Sequence, residues 1–530
     1  MAHYDAIVIG GGHNGLTAAN YLAMGGLKVC VLERRHVVGG AAVSEEFSPG
    51  YRNSIASYVV SLLRPEVVDE LELRKYGYDA IRLSNAFYPD SKGDYLLLTD
   101  DEAHNRQQYG KFSDTDHEAL KRFYEFVDQV GDIVAKQWLK EPPKLGKQSF
   151  GDLANLGRLG LDLYKMDEDT RHRMVQLLIG APSTMINRWF ESEKIKAMVA
   201  ASITPANYAS LNQPGAAMAM LHHAVGGLDG KKGAWGLVKG GMGTITQAMA
   251  KSAQAKGTEI RTNAAVERIL VENGKACGVS LEGGEELRAT TIASNADPHR
   301  TFIKMLGEDY LDPGFAADIK AIRMESASLR MNLALSGLPD FACYPSDGVG
   351  DHHRASIMFI ESAQHIEDAY LSARAGMPAD PPFIDAIIPS VLDDTLTDEP
   401  GHHVMSLLCK YMPYDLADGQ DWHSIKPSVS EKILDYLSGM IPNLRDILVG
   451  YQCLSPLDLE RTFGLTRGDI CHGRLEPDQL FSMRPHPDAA QYGCPMPGLY
   501  LCGSGAHPGG GVTGAPGRNA AKRILKDLKR

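Results

Sequence analysis

The sequence has no two cysteines at CxxC spacing, no excess of positive charge and no long apolar run. Its eight cysteines are scattered, which disfavours a zinc ribbon or a dithiol redox centre and fits a reducing compartment. The formal net charge of -12 argues against a nucleic-acid partner, because phosphate binding draws on clustered Lys and Arg. Without an apolar run of about 20 residues we expect no spanning helix, although an amphipathic helix that rests on a membrane surface stays open.

Histidine occurs in doublets but lacks a metal-binding pattern. No doublet has an acid or a second histidine at the helical spacing of HExxH, so we expect no metal site at His222-His223, His352-His353 or His402-His403. The first strand-like run begins almost at Met1 and leaves no room for a signal peptide or a basic transit sequence. The expected location is therefore the cytoplasm, or the mitochondrial matrix in a eukaryote.

The size and glycine content of the chain allow a large buried cofactor. A chain of 530 residues exceeds one ordinary core and predicts two or three domains. The sequence contains 54 glycines, which indicates a backbone that often turns tightly or closely approaches another group.

The N-terminal segment predicts a βαβ unit. Tyr4 to Ile9 and Lys28 to Leu32 are strand-like, and Leu16 to Met24 is helical up to Gly25 and Gly26. Between the first strand and the helix, Gly10, Gly12 and Gly15 fit GxGxxG, and the acid Glu33 follows about 20 residues later. This context predicts a dinucleotide site in which the glycines accept the pyrophosphate and Glu33 accepts hydrogen bonds from ribose hydroxyls.

Further glycine clusters bear on which dinucleotide binds. Arg34 and Arg35 precede Gly39-Gly40-Ala41-Ala42, where the chain can pass close under an extended cofactor. A second cluster, Gly240 to Gly243, precedes a predicted helix. The third cluster, Gly503 to Gly517, follows the last predicted strand, Leu499 to Cys502.

With these motifs the chain resembles the phytoene-desaturase and flavin-amine-oxidase superfamily. Ser294 to Pro298, Leu499 to Gly503 and His507 to Val512 are most similar to its phytoene-dehydrogenase-related branch. The resemblance implies an FAD cofactor. It also implies a glutathione-reductase-like FAD-binding Rossmann domain of α/β class, with an inserted α+β substrate domain.

The resemblance also implies which residues hold FAD. Gly10, Gly12, Gly15 and Glu33 would hold the ADP half, and the backbone of Val266 would lie near adenine. The remaining implied contacts are near the ribityl chain, the pyrophosphate and the ring: Arg34, Gly39, Gly40, Ala41, Gly503, Gly511 and Val512. The amides of Gly511 and Val512 would face the pyrimidine edge of the flavin, at the start of a final helix that ends near Asp527. Ala41 stands where many relatives carry Arg.

We predict a discontinuous FAD domain, residues 1–64, 236–300 and 490–530, and a substrate domain, residues 65–235 and 301–489. The region from about Pro65 to Gly230 is expected to be mostly helical, with helices at Asp116 to Lys140 and Thr170 to Ile179. Strands are expected at Glu259 to Arg261, Val266 to Val271, Ala276 to Leu281 and Thr290 to Ala293.

The predicted function is FAD-dependent oxidation, by hydride transfer from a largely apolar organic substrate to flavin N5. The alternatives are an amine oxidase and a regulatory or assembly protein that keeps FAD with little turnover. No second GxGxxG directly follows a predicted strand to seat NAD(P)H, so oxygen, a quinone or a protein is the expected electron acceptor. Oligomerisation stays open.

Three sequence features are candidates for the substrate side. Tyr58 is a candidate neighbour of the flavin ring or, equally, a buried tyrosine with a satisfied hydroxyl. His507 is either a flavin or substrate neighbour or a residue that fixes its loop. The stretch from Pro214 to Gly227, with Met218, Met220 and Leu221, lines an apolar tunnel or packs in the core.

Overall fold

The computed structural model describes residues 3–146, 148–203, 207–228 and 230–529. Its strands are β1 (His3–Ile9), β2 (Val29–Leu32), β3 (Ser44–Ser48), β4 (Tyr51–Ser54), β5 (Ala80–Leu83), β6 (Asn85–Pro89), β7 (Tyr95–Leu98), β8 (Gly227–Leu228), β9 (Lys231–Lys232), β10 (Trp235–Val238), β11 (Glu259–Arg261), β12 (Val266–Glu272), β13 (Lys275–Leu281), β14 (Glu286–Ser294), β15 (Ser328–Leu335), β16 (Ala355–Phe359), β17 (Ile384–Ile387), β18 (His403–Lys410), β19 (Leu448–Leu454) and β20 (Leu499–Leu501).

The α-helices lie between and after these strands. They are α1 (His13–Met24), α2 (Pro65–Glu70), α3 (Glu102–Gly110), α4 (Asp116–Trp138), α5 (Phe150–Lys165), α6 (Glu168–Ile179), α7 (Pro182–Trp189), α8 (Glu193–Ile203), α9 (Met218–Ala224), α10 (Gly243–Ala255), α11 (Pro313–Ala321), α12 (Ala363–Arg374), α13 (Trp422–Ser438), α14 (Leu444–Ile447), α15 (Pro456–Phe463) and α16 (Ala515–Leu528). Among the described residues no helix is both long and apolar enough to cross a membrane.

The first sheet contains the predicted βαβ unit. Its order is β11-β2-β1-β14-β13-β12, and β20 also pairs with β14. The pairs β11 with β2, β2 with β1, β1 with β14 and β14 with β20 are parallel, whereas β12, β13 and β14 form an antiparallel meander. Strand β2 is buried at every residue, as expected for a parallel strand covered on both faces. The predicted α/β fold with a Rossmann-like domain is confirmed.

The second sheet lies in the inserted regions and has the order β19-β15-β18-β17-β16-β6-β7. Its pairs are antiparallel except for β16 with β6. Strands β15 and β18 are almost wholly buried, and α13 packs its apolar face against them through Ile433, Leu434 and Leu437. Leu408 of this sheet lines a cavity together with Ala41 and Gly511 of the glycine-rich segments.

The expectation of a mostly helical region from Pro65 to Gly230 is only partly correct. Helices α4 and α6 lie close to the predicted positions, but β5, β6 and β7 fall in the same region. These strands are four or five residues long, and β7 pairs with its neighbour β6, whereas β5 and β6 have partners remote in the chain. Strand β6 pairs with β16 and β5 pairs with β10, so local periodicity alone did not reveal them.

The predicted domain boundaries stay predictions, although the hydrophobic cores can be compared with them. The core around the first sheet includes Val67 and Leu71 at one predicted boundary and Phe302, Met305 and Phe315 at another. Each of these residues belongs to a segment assigned to the substrate domain by sequence. The core of the cofactor region thus reaches several residues into both insertions.

The prediction that Gly511 and Val512 begin the last helix is wrong. Helix α16 begins at Ala515 with Gly514 as its N-cap. Gly511 and Gly514 have φ angles of +92° and +72°, which a right-handed helix does not contain. Gly511 and Val512 therefore lie in the loop before α16.

Candidate functional site

The loop after β1 forms one side of the site. Gly10 has a φ of +92°, in the left-handed region that favours glycine. Helix α1 begins at His13 with Gly12 as its N-cap, and no side chain caps it. The amides of its first turn lack partners within the helix and, with the helix dipole, favour an anionic group at this end.

Close packing explains why Gly12 and Gly15 lack side chains. A Cβ atom on Gly15 would lie 2.1 Å from the carbonyl oxygen of Gly10, and one on Gly12 would lie 2.8 Å from Nδ2 of Asn295. Asn295 follows β14, the parallel neighbour of β1, and its Nδ2 donates to the Gly10 carbonyl at 3.5 Å. The sequence assigned Asn295 no role beyond the family resemblance, although it stands at the carboxyl edge of the sheet, where ligands bind in such folds.

Glu33 lies beside this loop at the end of β2. It is 5% exposed, and its carboxylate accepts hydrogen bonds from the amides of Gly11 at 2.8 Å and Arg35 at 2.9 Å. A carboxylate has about four acceptor positions, so Glu33 retains capacity for further donors. This placement suits the predicted contact with ribose hydroxyls.

The glycine pair runs alongside the first loop. The amide of Gly39 donates to the carbonyl of Gly11 at 2.9 Å, and the two chains form a parallel bridge between Gly12 and Gly39. A Cβ on Gly40 would lie 3.4 Å from the Cα of Gly12. The segment then leads to Ala41, which lines the cavity described below.

The C-terminal glycine segment closes the site from the opposite side. A Cβ on Gly503 would lie 2.5 Å from the carbonyl oxygen of Asn295, so the end of β20 packs closely against the residue that follows β14. Asn14 Nδ2 donates to Ser504 Oγ at 3.2 Å. Predicted residues from the two ends of the chain are thus brought together.

Two histidines hold the loop that contains Gly511. The Nε2–H of His222 donates to the carbonyl of Gly510 at 2.7 Å, and that of His13 donates to the carbonyl of Gly511 at 3.1 Å. Burial lowers the pKa of His13 to about 4 and that of His222 to about 3, so both rings are neutral at pH 7. Within the part of the chain that the structure describes, the amides of Gly511 and Val512 donate to no protein acceptor.

Two neighbouring cavities adjoin the second sheet. The inner cavity also reaches the glycine loops and is lined by residues that include His13, Ala41, Tyr58, Leu408, Gly511 and Val512. The outer cavity is lined by residues that include Tyr88, Leu98, Tyr124, Val127, Met220 and Met358. His223, Trp235 and Asp385 line both cavities. The two cavities therefore share part of their walls.

Tyr58 lies at the wall of the inner cavity and contacts two charged residues. Its hydroxyl donates to Asp385 Oδ2 at 2.6 Å, and the Arg330 guanidinium lies 4.5 Å from the centre of its ring. Burial raises the pKa of Asp385 to about 6 and lowers that of Arg330 to about 10. Neither Arg330 nor Asp385 was predicted from the sequence. The available signal for a functional residue was a single charged residue in an otherwise uncharged strand.

Three other predicted residues lie apart from the inner cavity. Arg34 is exposed and donates to the carbonyls of Arg461 and Thr462. Val266 begins β12 near Glu33, since the amide of Ala264 donates to the Glu33 carbonyl at 2.9 Å.

The third residue, His507, is buried, and its Nε2–H donates to the Gln137 carbonyl at 3.0 Å. It lines a small separate pocket beside Trp138. This contact matches the interpretation in which His507 fixes its loop. From the Pro214 to Gly227 stretch, Met220 lines the outer cavity while Leu221 is fully buried in the core.

Comparison with known proteins identifies the family. The family model described as NAD(P)-binding Rossmann-like domain matches residues 8–68, and the one described as Flavin containing amine oxidoreductase matches residues 80–302. The chain is 39% identical to pyridine nucleotide-disulfide oxidoreductase domain-containing protein 2 of Rattus norvegicus, over 99% of this chain and 94% of the relative. The chain belongs to the flavin amine oxidase and phytoene desaturase superfamily.

Two more distant proteins agree with this family. One of the subunits of limonene dehydrogenase from Castellaniella defragrans is 27% identical, over 99% of this chain and 95% of that protein. The solved structure of cyclohexylamine oxidase from Brevibacterium oxydans is similar with a TM-score of 0.59 at 16% identity, and the match covers 99% of this chain and 100% of that one. At this identity the second likeness shows the shared fold.

The family has FAD as its cofactor, and the chain is an FAD-dependent oxidoreductase. The local structure fits this cofactor. Gly12 has no side chain that would keep a ligand away from the backbone, and the uncapped start of α1 suits the pyrophosphate. The Glu33 carboxylate can accept hydrogen bonds from the ribose hydroxyls. The amides of Gly511 and Val512 can donate hydrogen bonds to acceptor atoms of the flavin ring.

Proposed function

We propose that this oxidoreductase acts on a largely apolar organic substrate, which it holds where the inner and outer cavities meet. The observation that supports this most directly is the position of the inner cavity. One wall is made by the loops that fit FAD, at Ala41, Gly511 and Val512, and the opposite wall is made by the second sheet, at Leu408. A substrate in this space contacts both the cofactor loops and the substrate wall.

The outer cavity suits an apolar molecule because aromatic and aliphatic side chains form much of its wall. These side chains include Tyr88, Tyr124, Val127, Met220 and Met358. Methionine adapts its shape to irregular apolar ligands. These side chains orient the substrate and exclude water from it, while the charged residues Arg82 and Lys231 lie at the same cavity.

FAD held by the loops of Gly12 and Gly511 would supply a two-electron acceptor, with flavin N5 as the atom that receives hydride. The chain contributes position more than acid or base groups, since hydride transfer depends on close and oriented contact. His13 and His222 are neutral and fix the loop of Gly510 and Gly511 through its carbonyls. We propose that the reduced cofactor passes its electrons to oxygen, a quinone or a protein.

The relatives favour oxidation of an apolar compound without deciding which one. One relative is named as part of limonene dehydrogenase, and limonene is a hydrocarbon. The structurally similar cyclohexylamine oxidase is named for an amine on an apolar ring. Both names fit an apolar body in the cavity.

An anaerobic spectral screen tests the proposal. The FAD-loaded protein is mixed with matched cyclic and linear hydrocarbons, alcohols and amines, and with equally small polar compounds such as sugars and amino acids. We expect the visible absorbance of the flavin to bleach with one or more apolar compounds and to recover in air. Bleaching by the polar set alone contradicts the proposal.

A further inference from the structure

Two buried charged residues face the inner cavity from the second sheet. Arg330 on β15 pairs with Leu408 on β18, and Leu408 in turn pairs with Asp385 on β17. The three residues therefore form one row across three adjacent strands, and all three line the inner cavity. Strands are spaced about 4.8 Å apart, so Arg330 and Asp385 flank the apolar side chain of Leu408.

Each charged residue has one polar atom that no protein group satisfies. Asp385 is 8% exposed and Arg330 is 2% exposed. Among the described residues, Asp385 Oδ1 has no donor and Arg330 Nε has no acceptor. Their other polar atoms are engaged, with Asp385 Oδ2 accepting from Tyr58 and Arg330 donating to the Leu407 carbonyl and Ser406 Oγ, both at 2.6 Å. A buried polar atom without a partner costs about 1–3 kcal/mol, so a ligand that satisfies both atoms is stabilised.

The chemistry of the two unsatisfied atoms limits the group that fits them. Asp385 Oδ1 needs a donor and Arg330 Nε needs an acceptor. A hydroxyl group is both donor and acceptor, whereas a protonated amine only donates and a hydrocarbon does neither. Arg330 also places a positive charge beside Asp385, so this part of the cavity has no unbalanced negative charge to attract an ammonium group.

We propose that Asp385 and Arg330 form a subsite for one hydroxyl group of an otherwise apolar substrate. Leu408 lies between them and contacts the carbon skeleton next to that hydroxyl. The Tyr58 hydroxyl donates to Asp385 Oδ2, which leaves Oδ1 as the carboxylate oxygen that has no donor among the described residues. The inference rests on the proposed function, since it names the substrate class of the same cavity.

Ligand binding to the FAD-loaded protein tests the subsite without turnover. Trp235 lines both cavities, and its fluorescence, identified by its loss in Trp235→Phe, reports occupancy under anaerobic conditions. The probes are methylcyclohexane, cyclohexylmethanol and cyclohexylmethylamine, which share one carbon skeleton. In the wild type we expect cyclohexylmethanol to bind about tenfold or more tightly than methylcyclohexane, as one hydrogen bond to a charged group would give.

A matched pair of variants assigns the preference to Asp385. Tyr58→Phe keeps Asp385 Oδ1 and should retain the preference for the alcohol. Tyr58→Phe/Asp385→Leu removes both hydrogen-bond partners together, which leaves no unpaired tyrosine hydroxyl, and should reduce the preference to within about twofold. The wild-type comparison of the three probes stands by itself if the double variant does not hold FAD.

The outcomes separate this inference from the proposed function. Equal affinity for the hydrocarbon and the alcohol, or tighter binding of the amine than of the alcohol, overturns the hydroxyl subsite and leaves the apolar cavity intact. An alcohol preference that survives in the double variant also overturns the assignment to Asp385. If none of the probes binds, the proposed function fails together with the subsite.

Discussion

The cofactor loops and the cavity wall opposite them are built in different ways. The loops use backbone: Gly12 and Gly15 allow close packing, and Gly511 offers an amide. The wall uses side chains of Arg330 and Asp385 from strands of the second sheet. A glycine loop tolerates almost no added atom, whereas the wall can change its side chains and keep its strands. We infer that the loops determine whether FAD binds and that the wall determines which substrate reacts.

The largest effect is expected from a side chain in the first loop. In Gly12→Val the new Cβ lies 2.8 Å from Asn295 Nδ2 and occupies space next to the predicted pyrophosphate. Overpacking costs about 1–3 kcal/mol, so the affinity for FAD should fall on the order of 100-fold. Fluorescence titration of the apoprotein with FAD measures this.

Gly157→Val is the matched control for this experiment. A Cβ at Gly157 in α5 meets no atom within 4 Å, so this variant should bind FAD as the wild type does. Equal affinity for FAD in Gly12→Val and Gly157→Val would show that the first loop does not hold the cofactor.

A smaller effect is expected in the loop before α16. In Gly511→Leu the new side chain meets Leu62, because a Cβ there would lie 2.5 Å from Leu62 Cδ1. The amides of Gly511 and Val512 should then move away from the flavin, and its two-electron reduction potential should fall by about 30 mV, which corresponds to about 1.4 kcal/mol. Dye equilibration at measured FAD occupancy gives this potential.

Gly274→Leu separates backbone strain from the loss of the amides. Gly274 also has a positive φ, of +71°, but a Cβ there meets no atom within 4 Å. Gly274 lies in the turn between β12 and β13. The flavin in Gly274→Leu should therefore have the same reduction potential as the flavin in the wild type. A Gly511→Leu variant that holds FAD fully at the wild-type potential shows that these amides do not act on the ring.

Acid should lower the free energy of unfolding through the buried histidines that contact the Gly510 and Gly511 carbonyls. The pKa of His222 is lowered from 6.5 to about 3 by burial. As the pH falls from about 6.5 towards 4, the unfolded chain binds a proton at this position and the folded chain does not, so the free energy of unfolding decreases. His222→Gln should reduce this slope by up to about 1.4 kcal/mol per pH unit.

Urea unfolding of both proteins between pH 7 and pH 5 measures the slope. Glutamine keeps an N–H donor for the Gly510 carbonyl but does not titrate in this range. A wild type and a His222→Gln variant with the same pH slope would contradict neutral burial of His222.

The smallest effect is expected from NADH. The match to the NAD(P)-binding family model covers residues 8–68, which include the loop that fits FAD, and no second GxGxxG directly follows a strand of the described residues. Micromolar NADH should therefore leave the absorbance of bound FAD unchanged in a stopped-flow trace. Rapid bleaching would show a second nucleotide site.

The sequence predicted the cofactor loops well because their signals are local. The strand, glycine loop, helix and acid from Tyr4 to Glu33 follow one another in the chain, and each carries its own conformational preference. The predicted start of α16 was wrong, since Gly511 and Gly514 both take positive φ angles that the family pattern alone did not show.

The cavity wall could not be predicted in the same way. Arg330 and Asp385 are far apart in the chain, and they share a row only because β18 lies between their strands. Strand order is a tertiary property, which periodicity does not contain. Tyr58 was identified as a candidate, but its partners come from this second sheet.

Blocking the outer cavity tests most directly whether substrate reaches the cofactor through it. Ser356 on β16 lines the outer cavity, and Ser356→Trp adds an indole ring there, away from the glycine loops. We predict that a compound that bleaches the wild-type flavin under anaerobic conditions will do so at least about tenfold more slowly at low concentration in the variant, as a lost binding contribution of about 1.4 kcal/mol gives. FAD occupancy and reduction potential should match the wild type. An unchanged bleaching rate in a variant that holds FAD fully would contradict the account.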